Sequence, residues 1–192
     1  MDDITLLDIS SSLALAAMYL LTLNILLGLL ISTRYNPVRQ WPHRRINIFK
    51  IHNWNAYVVL AVAFTHPILL LWADIKQRFG ILDLIWPLSS PYQTTYNVLG
   101  ALAFYLLLFV VATSTFRRQL GHKRWKPLHY ATYALAVVFF IHGILIDPKL
   151  HNEPTDFLDG EKLQVELCCL LVLVGTVLRA RYAIRKRALA PS

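Results

Sequence analysis

The sequence predicts an all-α fold, a polytopic membrane bundle of about five transmembrane helices, and three observations lead to it. The chain of 192 residues is 56% hydrophobic and only 16% charged, whereas a soluble domain is ~25% charged. Its mean hydropathy is +0.48. The charges cluster between long apolar runs rather than spreading along the chain. Together these exclude a soluble globular enzyme and a disordered tail. Five spans with short loops use the whole length, so one transmembrane domain over 1–192 is expected, with no soluble catalytic domain beside it.

The runs long enough to cross ~30 Å of hydrocarbon lie at 9–31, 48–73, 96–114, 127–146 and 163–180. Met1-Asp2-Asp3 lacks the basic start of a signal peptide, so the first run reads as a retained span. Ser10, Ser11 and Ser12 are candidate caps for its helix. Pro67 is expected to bend the second span. Between the second and third spans, Ile81 to Leu88 is too short to span and reads as a helical turn in the outer interface, with Trp86 near its end, or equally as a hydrophobic loop covering the bundle. Pro127 suits the first position of the fourth helix. Asp147-Pro148 stops it, because the residue before a proline is pushed out of the helical region. Helices rather than strands are expected throughout, since lipid cannot satisfy free backbone groups and no segment alternates like a barrel strand.

Charge sets the expected direction. Arg34, Arg39, Arg44, Arg45 and Lys50 follow span one, and Arg117, Arg118, Lys123, Arg124 and Lys126 follow span three. Arg179, Arg181, Arg185, Lys186 and Arg187 follow span five. These segments hold 15 of the 19 basic residues and none of the 11 acidic ones, so one face carries +15 and the other −7. The positive-inside rule therefore places the N-terminus outside and the C-terminus in the cytoplasm. A net charge of +8 then needs no nucleic-acid partner; the basic residues act as topology signals facing anionic lipid.

Four of the seven histidines fall inside spans: His52 and His66 on the second, His129 and His142 on the fourth. Histidine is costly in hydrocarbon and is a functional candidate there by default. Separations of 14 and 13 residues place the two members of each pair about 21 and 20 Å apart along a helix, too far to share one metal ion. Both spans run in the same direction, so His52 and His129 share one depth and His66 and His142 another. One imidazole from each of two helices at each depth suits a b-type haem with two axial histidines, hence two haems. Small residues nearby, Ala56, Ala61, Ala63, Ala131, Ala134 and Gly143, are candidates for leaving room for the macrocycle. On an ideal helix, 14 residues fall about 40° short of whole turns, whereas 13 fall about 140° short. A kink, an over-twist or haems approached from different sides must absorb the second difference.

The stretch from Thr113 through Phe116-Arg117-Arg118 to Gly121, then Trp125, Leu128-His129, Tyr133 and His142, resembles the ferric-reductase-like transmembrane domain superfamily. That group includes the membrane parts of ferric reductases and NADPH oxidases, and the haem-binding membrane subunit of the bacterial periplasmic methionine sulfoxide reductase pair. The resemblance covers roughly residues 44–180. It implies that His52 and His129 ligate the iron of an inner haem, and His66 and His142 that of an outer one. It also implies a multi-pass protein of the bacterial inner membrane. The oxidases and the sulfoxide reductase subunit have six spans, the first without a match here. The fused enzymes continue into flavin and nicotinamide domains, which makes the expected donor a separate cytoplasmic flavoprotein or quinol. The sulfoxide reductase subunit is without a counterpart of His52, which moves this chain toward the two-haem oxidase and iron-reductase pattern.

Arg44, Arg45, Lys50, Arg124 and Lys126 lie close to His52 and His129 in sequence and are candidates for pairing with inner propionates, or are positive-inside residues only. Trp54 and Trp125 are candidates for packing on the inner haem, or members of an interfacial belt. His43 and His122 read as solvated loop residues. His151, Glu153, Asp156 and Asp159 form an acidic outer cluster able to attract ferric iron, or simply an outer loop. Adjacent Cys168 and Cys169 read as small packing residues, and Asn24 as an interhelical hydrogen-bonding residue. The leading expectation is a two-haem electron carrier reducing ferric iron or oxygen outside the cell. The alternatives are a haem subunit serving a separate periplasmic reductase, and a haem-free helical transporter or assembly partner.

Overall fold

A computed structural model describes residues 5–33, 46–73, 79–147 and 156–188. The described chain is helical: α1 Leu6–Thr33, α2 Ile48–Ile68, α3 Ile81–Ile85, α4 Thr94–Thr115, α5 Arg117–His129, α6 Ala131–Leu145 and α7 Gly160–Ala188. Among the described residues four helices are long and apolar enough to cross a membrane, and α5 with α6, bent by 43°, brings the number to five when the pair is taken as one span. The protein is a multi-pass membrane protein. Its exposed side chains are those a lipid-facing surface requires, with Leu170, Leu173 and Leu178 of α7 each more than half exposed.

α1 starts earlier than the serine run suggests. Thr5 and Asp8 cap it reciprocally: the Thr5 amide donates to Asp8 Oδ2 at 2.9 Å, and the Asp8 amide donates to Thr5 Oγ1 at 3.2 Å. Ser10 is thus free to turn inward, where it is 2% exposed. Pro67 lies inside α2, and a 3-10 turn over Leu69–Leu71 follows the helix. Ile81 to Leu88 does form a short helix and a 3-10 turn, with Ile81, Leu82, Ile85, Trp86 and Leu88 all more than half exposed.

The fourth span departs most from expectation. Pro127 does not open the helix but sits inside α5. Gly121 takes φ 73°, a left-handed conformation that costs glycine nothing, and turns the chain between α4 and the histidine-bearing segment. Tyr130 then separates α5 from α6. Its amide donates to Pro127 O at 3.1 Å, and the Tyr133 amide donates to Tyr130 O at 3.0 Å. Bonds three residues apart wind the chain at about 120° per residue instead of 100°. A local over-twist and the 43° bend thus both lie between His129 and His142, and the over-twist works in the direction that reduces the shortfall of an ideal helix.

α1 packs against both α2 and α7, and α4 packs against α6. Two apolar clusters fill the bundle. Met18, Phe140, Val165 and Cys168 join α1, α6 and α7. Leu21, Val59, Ala103, Leu107 and Leu135 join α1, α2, α4 and α6. Cys168 is buried in the first cluster, as expected of a small apolar residue. α1 and α7 approach closely at Gly175, where an added Cβ would lie 3.1 Å from Leu29 Cδ1 and 3.2 Å from Leu26 Cδ2. Substituting Gly175→Leu is therefore expected to push these helices apart at a cost of about 1–3 kcal/mol. A lowered midpoint of thermal unfolding in detergent would register it, and an unchanged midpoint would contradict the close packing.

Candidate functional site: four histidines at two levels

His52 lies one turn into α2, His66 near its end, His129 at the end of α5 and His142 in the last turn of α6. Each ring is half-buried, and each Nδ1 meets a partner from another helix. His52 Nδ1 donates to the Asn24 carbonyl at 3.0 Å, and His142 Nδ1 donates to the Tyr96 carbonyl at 2.8 Å. His66 Nδ1 donates to the Ser10 carbonyl at 2.8 Å, while the Ser10 hydroxyl donates back to the His66 carbonyl at 2.9 Å. His129 Nδ1 and the Ser114 hydroxyl are 3.2 Å apart. A carbonyl can only accept, so three of the four rings carry their proton on Nδ1 and keep Nε2 as a lone-pair ligand. This is the outer-shell arrangement that orients metal-binding histidines.

Two of those carbonyls are reachable because of glycines that the sequence reading passed over. Gly28 follows Asn24 by four residues, and Gly100 follows Tyr96 by four, so each lies one turn along the same face. A Cβ on Gly28 would stand 3.3 Å from His52 Cε1, and one on Gly100 would stand 2.7 Å from His142 Cε1. The rings rest where side chains would otherwise be. Glycine four residues after a carbonyl-presenting position was the readable signal. The small residues selected from sequence mostly serve other purposes. Ala61 and Ala134 face outward, Ala63 packs in the second core cluster, and Gly143 meets Val165 of α7. Ala56 does line the space beside His52.

The structure brings His52 and His129 together, with ring centres 6.4 Å apart and planes at 75°. Two metal–imidazole bonds of about 2 Å, with about 1 Å from each nitrogen to its ring centre, require a separation near 6 Å. A cavity of about 640 Å³ opens here, lined by both rings and by Gly28, Ala56, Leu107 and Leu135. That is within the usual range for a cofactor pocket. Trp125 stacks beside His129 at 4.9 Å and 31°. Trp54 is 63% exposed and packs on Tyr57, so it faces away. His66 and His142 also lie within electrostatic reach of each other. Between the two levels sit Val59 and Leu135, the largest fully buried side chains among the described residues.

The cationic rim differs from the sequence-based set. Lys126 lines the cavity, joined by Arg117, Arg118, His122 and Arg179. Lys50 and Arg124 are exposed and outside the lining, while Arg44, Arg45 and His43 lie outside the described residues. So do His151 and Glu153 of the acidic cluster; Asp156 and Asp159 are described near the start of α7. Arg117 is held over the Phe49 ring at 4.5 Å, and Arg179 Nε donates to Ser32 Oγ at 3.3 Å. Asn24 and Asn55 do bond between helices: Asn55 Nδ2 donates to Leu20 O at 2.8 Å and to Asn24 Oδ1 at 3.3 Å. No group of three or more His, Cys, Asp or Glu able to hold a bare metal ion occurs among the described residues.

Comparison with known proteins places this geometry. The model of the family described as ferric reductase like transmembrane component matches residues 13–140. The protein-methionine-sulfoxide reductase heme-binding subunit MsrQ of Azospira oryzae is 29% identical over 113 residues, 54% of this chain and 46% of that protein. The magnetosome protein MamZ of Magnetospirillum gryphiswaldense is 38% identical over 68 residues, 34% of this chain and 10% of that protein. MamZ of Paramagnetospirillum magneticum is 39% identical over 66 residues, 33% of this chain and 10% of that protein. The chain thus spans under half the length of the curated relatives it matches. No solved structure gives a significant match.

Ser10→Ala is expected to cost about 1–3 kcal/mol, because the buried His66 carbonyl loses its donor. The exposed Ser12→Ala should stay within about 0.5 kcal/mol. Equal unfolding midpoints for the two variants would show that the Ser10 bond carries no weight. Gly100→Ala, whose Cβ would collide with the His142 ring, should also lower the midpoint, and an unaltered value would argue against the ring's seat.

Proposed function

Because the chain belongs to the ferric reductase like transmembrane component family, we propose that it is a two-haem b-type membrane electron-transfer protein. Its electrons come from a cytoplasmic flavoprotein or quinol and pass to an acceptor outside, such as ferric iron or oxygen. The observation that carries this reading is the set of four intramembrane imidazoles, each oriented through Nδ1 by a neighbouring helix. Two imidazoles per level are too few for the four-coordinate protein site that a bare zinc ion needs. They suit a porphyrin, which brings its own equatorial nitrogens.

The residues present fit such a group. The 6.4 Å ring separation, the 640 Å³ cavity and the seat at Gly28 leave room for it at the level of His52 and His129. His66 and His142 are the corresponding ligands at the second level. When bound, haem iron supplies one-electron oxidation and reduction. The chain supplies the rest. Asn24, Ser10, Ser114 and Tyr96 hold the rings, and the apolar walls exclude water. Lys126, Arg117, Arg118 and Arg179 offer cationic partners for propionates at the cavity rim. Under this reading the level of His52 and His129 lies toward the cytoplasm, the side that the positive-inside rule favours for such a basic rim. His52 with His129, and His66 with His142, would hold such a group at the two levels, and it would then supply electron transfer to an acceptor without that acceptor binding iron.

A second reading is favoured by the likeness to MsrQ, a heme-binding subunit of a protein-methionine-sulfoxide reductase. Under it, the acceptor is a separate periplasmic reductase rather than iron or oxygen. Both readings require the same cofactor. Purified, haem-replete protein should show a Soret band and about two haems per chain. His52→Ala and His66→Ala should each remove about one haem. Absence of the band, or loss of all haem from either single substitution, would sink the two-site reading.

A further inference from the structure

Lys162, the third residue of α7, is 7% exposed. Its Nζ donates to the Gly143 carbonyl at 3.2 Å and to the Ile146 carbonyl. α6 ends at Leu145, so these are carbonyls of a helix terminus that lacks further backbone partners. Gly143 adjoins His142, and the Ile146 amide donates to the His142 carbonyl at 2.9 Å. The ammonium therefore sits on the last turn of the helix that carries one of the four rings, and its charge is felt at His142. Asp147, Glu161 and Asp159 are the charged groups that act on it in turn.

Satisfying two carbonyls does not need a charge, since a neutral amide would donate equally well. A buried ammonium in a membrane helix costs more than such a donor and is a functional candidate by default. The cations at the other level, Arg117, Arg118, Lys126 and Arg179, number more, but they rim an open cavity, where water and salt screen them. Lys162 is 7% exposed, so its charge is screened less than theirs, and Asp147, Glu161 and Asp159 are the acidic groups that offset it.

Resting on the two-haem reading above, we propose that Lys162 is a positioning residue for the level of His66 and His142. It clamps the end of α6, and its fixed positive charge raises the reduction potential of the haem held there. The balance is simple: ferric iron accepts one electron from the flavin or quinol donor, no bond breaks, and the nearby cation favours the form with one more negative charge. A unit charge about 10 Å away at an effective dielectric near 20 changes such an equilibrium about tenfold, or about 59 mV for one electron.

The test is a spectroelectrochemical titration of the purified, haem-replete full chain, with His52→Ala used to assign the two waves. Lys162→Gln keeps a donor and loses the charge, whereas Lys162→Arg keeps both. The Gln variant should lower the potential of the His66/His142 wave by about tenfold in equilibrium constant, leaving the other wave in place, and Arg should resemble wild type. A Gln variant with both waves unmoved, or both moved equally, overturns the proposal. Loss of that haem from Gln but not from Arg supports a charge-dependent clamp. Loss from both, or a wave equally lowered in both, leaves lysine's shape as the cause and overturns the role of charge. Wild-type protein without two haems would instead overturn the two-haem reading, and this proposal with it. The haem-to-protein ratio separates those cases.

Discussion

The bundle is organised around one interaction, the hydrogen bond that joins an imidazole Nδ1 to a neighbouring helix. In hydrocarbon no water can substitute for that partner, so each ring must be met by protein. The consequence is a division of labour. α2 and the bent α5–α6 span carry the rings, while α1 and α4 carry the groups that orient them: Ser10 and Asn24 on α1, Tyr96 and Ser114 on α4. Packing of α1 against α2, and of α4 against α6, follows from this pairing as much as from apolar contact.

Local backbone features serve the same constraint. A helix carbonyl engaged within its own turn keeps a second lone pair, and a ring reaches it most easily where the following turn presents no side chain. Gly28 and Gly100 meet that condition. Ser10 shows another solution, exchanging two hydrogen bonds with His66 across the helix pair. The break at Tyr130 and the left-handed Gly121 aim His129 toward His52 without moving His142 from Tyr96. Val59 and Leu135, buried midway between the levels, keep the two sites apart.

An electron carrier across a bilayer needs redox centres at separate depths, each shielded from water and held in one orientation. In the proposed two-haem reading, paired rings on parallel spans would supply the depths, and the apolar cluster at Leu21, Val59 and Leu107 the shielding. The two levels differ in electrostatics. One faces an open cavity with a basic rim, and the other has a single buried lysine at a helix end. In the proposed reading, such asymmetry would give direction to a path whose ligands are otherwise alike.

The sequence by itself determined the all-helical membrane class, because apolar run length and charge clustering are properties of composition along the chain. It also singled out four histidines as candidates, because ionisable residues inside apolar runs stand out without any tertiary information. It showed that the His129–His142 spacing was irregular for an ideal helix. Only the tertiary structure showed the bend and the tightened turn at Tyr130 that lie between the two rings. It alone replaced Lys50 and Arg124 with Arg117, Arg118 and Arg179 at the cavity, because proximity in sequence does not say which way a helix face turns. Ser10, Gly28, Gly100 and Lys162 were decided there too. Their roles are contacts between residues 16 to 56 apart in the chain, and the sequence does not say which distant residue each one meets.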